Sequence, residues 1–64
     1  MKDFEGKILK ITCDNVQGWV VSTGYFIKQE GSFLVIKEKN SNKIKYLNER
    51  YIKAIEIAGD LNEQ

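Results

Sequence analysis

Apolar and polar side chains alternate along most of the chain with a period of two residues. The first such segment, residues 7–13, places its apolar residues on one face and Lys10 and Thr12 on the other; the apolar residues are Leu9, Ile11 and Cys13. Because successive side chains of a strand point to opposite faces, this pattern predicts a strand with one buried side. Residues 14–18, rich in Asp, Asn and Gly, predict the turn that follows.

A second strand is predicted over residues 19–28, where β-branched and aromatic residues are dense. Gly24 interrupts the middle of this segment, and a glycine inside a strand commonly marks a bend, a bulge or a close backbone approach. Residues 29–32 predict the next turn, in which Gly31 can supply a positive φ angle. Residues 33–37 predict a third strand, with apolar side chains on both of its faces.

The fourth predicted strand covers residues 43–47, after a hairpin turn at residues 40–42. It places Ile44 and Tyr46 on one side and two lysines on the other.

The last segment has two interpretations. Five residues fall at helical spacing and would form an amphipathic helix: Tyr51, Ala54, Ile55, Ala58 and Leu61. The isoleucines of residues 52–57 favour a fifth strand instead, and we expect the strand because four preceding strands leave two sheet edges that a fifth could close. The fold expected is therefore all-β, a small five-stranded SH3-like barrel; the alternative is a four-stranded antiparallel sheet with a C-terminal helix.

The composition limits the possible chemistry. The chain has 64 residues, one cysteine and no histidine, which excludes an internal disulfide, Cys- or His-based zinc sites and His-based catalysis. Cys13 has no imidazole to activate it and is read as a small buried apolar residue at a strand end. The carboxylates are scattered singly along the chain. We therefore expect no enzyme activity, no metal and no cofactor.

The size of the chain favours self-association. We expect a single domain over residues 1–64, with residues 60–64 as a polar tail. A domain of about 60 residues buries only ~60% of the surface that its unfolded chain exposes. Because disulfides and metals are excluded as additional stabilisers, a homo-oligomer is expected.

The location expected is the cytoplasm, without membrane contact. The longest apolar run has four residues, Phe33 to Ile36, whereas a membrane-spanning helix needs about 20. Residues 1–5 contain acidic side chains where a signal peptide would have an apolar segment.

Positive charge is concentrated in one segment, although the whole chain carries only +1. Residues 37–53 hold six basic and two acidic side chains. Basic groups interleaved with aromatic rings are typical of single-stranded nucleic-acid binding. Lys37 and Lys39 share one face of a strand and Lys43 and Lys45 one face of the next, so the four form a basic stripe if the two strands register together. The candidate nucleic-acid-binding residues are Lys37, Lys39, Lys43, Lys45, Tyr46, Arg50 and Lys53. The alternative is that these lysines keep a hairpin edge soluble.

Two aromatic residues of the second strand are candidates for a protein interface. Trp19 either fills one end of the barrel or serves a binding role, in which it anchors a partner or stacks a base; the first role is expected. Tyr25 and Phe26 point to opposite faces, so one of the two is expected inside and the other exposed or in an interface. These residues leave open a second function, a protein–protein interaction module.

The order of these segments resembles the Sm-like family, which includes the bacterial Sm-like RNA chaperone. The first motif of the family is similar to three consecutive segments: Gly24-Tyr25-Phe26-Ile27, Gln29-Glu30-Gly31-Ser32 and Phe33-Leu34-Val35-Ile36. Its second motif is similar to residues 43–47, 48–50 and 52–55. The resemblance covers residues 6–58. It implies an SH3-like barrel, rings in which the fourth strand of one subunit pairs with the fifth of the next, and binding of single-stranded RNA; the alternative is an SH3-like adaptor in a larger assembly.

Overall fold

The computed structural model describes the backbone of residues 2–60 and the side chains of residues 3–60. It contains five antiparallel strands: β1 (Lys7–Asn15), β2 (Gly18–Glu30), β3 (Phe33–Glu38), β4 (Ile44–Asn48) and β5 (Ile52–Asp60). Within this range the helical elements are two single turns of 3-10 helix, Lys2–Phe4 and Glu49–Tyr51. The all-β expectation is confirmed.

The strands form one sheet in the order β4-β3-β2-β1-β5. Consecutive strands from β1 to β4 pair as hairpins, and β5 returns to pair with β1. In the part of the chain that the structure describes, β4 and β5 are the two edges and do not pair with each other. The fifth strand therefore extends the sheet instead of closing it.

The ambiguous last segment is a strand, and the helical interpretation is wrong. Ile55 pairs with Ile11 of β1, and Ile52 pairs with Cys13. Both isoleucines pack against the buried core. These contacts and the ladder along β1 outweigh the helical preference of the two alanines, since propensity is a weak local term that tertiary packing overrides.

The core lies on one face of the sheet, as the alternation predicts. Its buried side chains come from the first three strands: Leu9, Ile11, Cys13, Phe26, Leu34 and Ile36. The Phe4 ring packs edge-on against Phe26, with 5.9 Å between centroids. Val35 faces the other side of β3 and is also buried, which confirms that β3 is apolar on both faces.

Gly24 is the point where β2 passes from one neighbour to the other. It pairs with Leu9 of β1 and with Glu38 of β3. A Cβ atom at this position would collide with the Lys37 carbonyl oxygen and lie 3.0 Å from the Glu38 Cα. The register shifts between Phe26 and Lys28, just beyond it. Gly24 therefore marks a close backbone approach, one of the three possibilities that the sequence leaves open.

The first hairpin is longer than the sequence predicts. β1 continues to Asn15 and β2 starts at Gly18, so the predicted turn over residues 14–18 is largely paired strand. The pairing of β1 with β5 ends at Cys13 and Ile52. Residues 14–19 therefore extend past the end of β5 on that side of the sheet. Together with Val20 and Val21, which pair with Cys13 and Thr12, they form what we call the hairpin arm, residues 14–21.

The C-terminal end of β5 includes Asp60, which was expected in the polar tail. Asp60 pairs with Lys7 in the ladder, and its carboxylate lies 2.9 Å from the Lys7 Nζ. Residues 61–64 of the expected tail lie outside the described residues. Between residues 2 and 60, no helix has the length and apolar character needed to cross a membrane.

Candidate nucleic-acid interface

The four lysines of the expected stripe do not share a face. Lys45 stands opposite Ile36, and Lys37 stands opposite Ile44. Directly opposed residues of an antiparallel pair lie on the same face, and alternate pairs lie on opposite faces. Lys37 and Lys45 therefore point to opposite sides of the sheet, and the continuous stripe is wrong as a description of their placement.

Lys45 is held in a polar cluster on the core side of the sheet. Its Nζ lies 2.8 Å from a carboxylate oxygen of Glu38 and 3.5 Å from the Ser22 Oγ. The Ser41 hydroxyl donates a second hydrogen bond to Glu38. The hydrogen bond from Lys45, and after it the one from Ser41, lowers the pKa of Glu38. The charge of Lys45 is thus compensated within the chain.

Three other lysines surround the turn between β3 and β4. Lys37, Lys39 and Lys43 are exposed and form no ion pair with any residue that the structure describes. The Lys39 backbone N–H donates to the Thr23 carbonyl at 3.0 Å, which holds this turn against β2. We call these three residues the turn lysines. Their charges are available to an anionic ligand.

The predicted aromatic residues of the middle strands lie away from Lys45. Tyr46 is on the opposite face of β4 and packs edge-on against Phe33, with ring centroids 6.1 Å apart. Tyr25 is half-buried and stands opposite Ile8 and Lys37 on its two neighbours. Tyr46 and Lys37 share a face, whereas Tyr46 and Lys45 do not.

Trp19 is exposed on the hairpin arm, so the expectation that it fills one end of a barrel is wrong. Its side chain is 68% exposed. The Lys53 Nζ lies 5.6 Å from the centre of the indole ring, a cation–π distance. Lys53 also lies 3.6 Å from Asp14, the residue directly opposite Trp19. β2 has only β1 beside it at this point, because β3 pairs with β2 only from Gly24 onward.

A second exposed ring and cation lie where β4 leads into β5. The Arg50 guanidinium is 5.8 Å from the centre of the Tyr51 ring, which is 53% exposed. Both residues belong to the second 3-10 helix. The Asn48 side chain caps this helix by accepting a hydrogen bond from the Arg50 backbone N–H at 3.1 Å.

An open cleft lies between the end of the hairpin arm and Tyr51. It has a volume of about 460 Å³ and is lined by Asp14, Asn15, Val16 and Tyr51. We call it the arm cleft. Asp14 links the cleft to Trp19. It lines the cleft with Tyr51 and also forms an ion pair with Lys53, whose Nζ lies near the Trp19 ring. We call four residues the aromatic–basic surface: Trp19, Arg50, Tyr51 and Lys53. Tyr51 lines the cleft and Arg50 lies over its ring, while Lys53 pairs with Asp14 and lies over Trp19.

Sequence reasoning missed the three arm residues of this cleft. The sequence pattern predicts only a turn for Asp14, Asn15 and Val16, because Asp and Asn are common turn formers. Their proximity to Tyr51 follows from the pairing of β1 with β5, which joins residues about 40 positions apart. The one sequence signal of a surface role is an apolar residue, Val16, within a segment of turn-forming polar residues.

Cys13 is buried beside this region and is no nucleophile candidate. Burial, and after it the charge of Asp14, raises the pKa of the Cys13 thiol, and the opposing effect of Lys45 is smaller. The thiol therefore stays protonated at neutral pH. Among the described residues, no three His, Cys, Asp or Glu side chains are grouped so that they could hold a metal ion.

Comparisons of the chain with protein-family models, with curated proteins and with solved structures found no match. A functional proposal therefore rests on the geometry of the aromatic–basic surface and on the sequence pattern.

Proposed function

We propose that this protein binds single-stranded nucleic acid, RNA in preference to DNA, at the aromatic–basic surface. The observation that carries the proposal is the pair of exposed rings, Trp19 and Tyr51, each with a cation within 6 Å of its centre. Such rings stack on unpaired bases, and the neighbouring cations attract phosphates. The preference for RNA is what the resemblance to the Sm-like family implies. The cytoplasmic location that the sequence predicts is compatible with it.

Charges elsewhere on the chain support a longer contact with the backbone of the ligand. The turn lysines add three cations that form no ion pair with a described acidic residue. Lys45 contributes least, because Glu38 already compensates its charge. No step of catalysis is proposed, so the expected role is binding alone.

Trp19 provides the direct test because it is the only tryptophan of the chain. Oligo-U and oligo-A should quench its fluorescence when a base stacks on the indole ring. Two phosphate contacts, one at Arg50 and one at Lys53, predict a loss of roughly sevenfold in affinity between ~50 and ~200 mM salt. Anisotropy of a labelled oligonucleotide gives a second readout that is independent of the tryptophan.

The location of the site is tested with two matched double variants. Arg50→Gln with Lys53→Gln removes two charges from the aromatic–basic surface and should weaken binding at least tenfold at low salt. Lys37→Gln with Lys39→Gln removes two charges from the turn lysines and should weaken it less. A larger loss in the second variant would show that the site lies at the β3–β4 turn. Absence of binding at the lower salt would remove the proposed function.

A second candidate function, a homo-oligomeric or adaptor interaction module, is favoured by the two unpaired edges of the sheet. Ile44 and Tyr46 on β4 and Ile57 on β5 are each more than half exposed. Unpaired edge strands with apolar side chains are ready partners for a further strand. The assembly proposed pairs β4 of one copy with β5 of the next. Light scattering should then give a mass several times that of the chain; a monomeric mass at high concentration would leave the adaptor module.

A further inference from the structure

We propose that the arm cleft is a base-recognition pocket that selects guanine within a single-stranded ligand. This inference rests on the proposed function, since it names the base that the aromatic–basic surface would read. The occupant is argued from the apolar walls of the cleft, the acceptor at its edge and the charges around it.

The walls suit a flat, partly apolar group. Val16 is 99% exposed and Tyr51 is 53% exposed, and both residues line the cleft. A valine side chain and a tyrosine ring that are both open to water lose little and gain apolar contact when a planar base covers them. A base stacked on Tyr51 would sit beside Val16, between the hairpin arm and the second 3-10 helix.

The acceptor at the edge of the cleft favours one base over the others. The Asp14 carboxylate only accepts hydrogen bonds, and it has about four lone-pair sites, so the ion pair through its Oδ1 to Lys53 leaves acceptor capacity. The Watson–Crick edge of guanine presents two adjacent donors, N1–H and the 2-amino group. Uracil presents one donor between two carbonyls, and adenine and cytosine present an amino group beside an acceptor nitrogen. A carboxylate can therefore form paired hydrogen bonds only with guanine.

The charges around the cleft also favour the entry of a base and not of a phosphate. A carboxylate in the cleft repels a phosphate, while Arg50 and Lys53 next to it attract one. The base therefore enters the cleft and the backbone stays outside it. The amide of Asn15, which also lines the cleft, can donate to the O6 carbonyl of the same guanine.

The test uses four labelled oligonucleotides that differ at one position. All-U is compared with versions that carry a single central G, A or C, by anisotropy at ~50 mM salt. The G version should bind the full chain about tenfold more tightly than all-U, which corresponds to about 1.4 kcal/mol. The A and C versions should bind less than about threefold more tightly than all-U.

Asp14→Asn should abolish the preference for G, because the amide offers only one acceptor oxygen, while the affinity for all-U stays equal or rises slightly. Glu56→Gln is the matched control, since Glu56 is another exposed carboxylate in a lysine pair, 4.0 Å from the Lys10 Nζ. It should keep the preference for G. Circular dichroism of both variants verifies that the sheet is intact.

The outcomes separate this inference from the function on which it rests. Equal binding of the four oligonucleotides, or a preference for another base, overturns the guanine pocket and leaves nucleic-acid binding in place. Retention of the G preference by Asp14→Asn overturns it as well. Failure of all four oligonucleotides to bind removes both proposals.

Discussion

Two valines show how differently this chain treats the same residue type. Val35 in the middle of β3 is 1% exposed, and Val16 at the end of the hairpin arm is 99% exposed. β3 has a paired strand on each side, β2 and β4, whereas the end of the arm has only its own hairpin partner. The comparison teaches that burial here is decided by the number of neighbouring strands and not by the hydrophobicity of the residue.

The same difference in the number of neighbouring strands separates residues that stabilise the fold from residues that are free to contact a ligand. β3 contributes three of the largest fully buried side chains: Leu34, Val35 and Ile36. The arm carries exposed apolar groups, among them Trp19 and Val21, that add little to the core. A two-stranded hairpin is at best marginally stable by itself, so residues kept in such a position are more useful to a ligand than to the fold.

The largest effect expected is at the centre of β3. Ile36→Ala removes a fully buried side chain and should lower the free energy of unfolding by about 2–5 kcal/mol, a large fraction of the stability of so small a domain. Val21→Ala on the arm, where the side chain is half exposed, should cost less than about 1 kcal/mol. Urea unfolding followed by circular dichroism measures both. Equal losses would contradict the distinction between the two regions.

The second largest effect is expected at Gly24, where β2 passes from its pairing with β1 to its pairing with β3. Gly24→Ala places a Cβ against the backbone of Lys37 and Glu38, which cannot move aside as a side chain would, and should cost about 3 kcal/mol. Gly31→Ala is the control, because Gly31 lies in a turn with φ of 59° and open space around its Cα. It should cost only about 1 kcal/mol, from the backbone strain alone. A smaller loss at Gly24 than at Gly31 would show that the sheet can relax at the bend.

The smallest effect concerns the polar cluster around Lys45 at the border of the core. Hydrogen bonds from Lys45 and Ser41 lower the pKa of Glu38, so its folded-state pKa lies below the unfolded one. The resulting stabilisation is present above about pH 4.3, the ordinary pKa of a glutamate, and is lost as the pH falls through the folded-state value. The urea concentration at the midpoint of unfolding should therefore decrease as the pH is lowered through this range.

Two variants assign that acid dependence to the cluster. Glu38→Gln should flatten it, and Ser41→Ala, which removes one of the two hydrogen bonds, should give an intermediate slope. An unchanged slope in Glu38→Gln would assign the acid sensitivity to other carboxylates.

The sequence by itself determined the strands and most of their buried faces. The alternation in residues 7–13 and 43–47 is a local property of extended backbone, so it identifies Leu9 and Ile11 as core and separates Tyr46 from Lys45 without knowledge of the partner strands. Two glycines are likewise informative because they lack a Cβ atom. Gly24 marks a close backbone approach, and Gly31 marks a turn with a positive φ angle.

Only the tertiary structure decided how these strands are combined. The register of β3 on β4 separates Lys37 from Lys45, and the end of the β2–β3 pairing at Gly24 leaves Trp19 without a second neighbouring strand and in solvent. The pairing of β1 with β5 brings Tyr51 to the hairpin arm and so creates the arm cleft. Each of these features depends on which distant residues form a ladder, and a period of two along one strand contains no information about the register of the next.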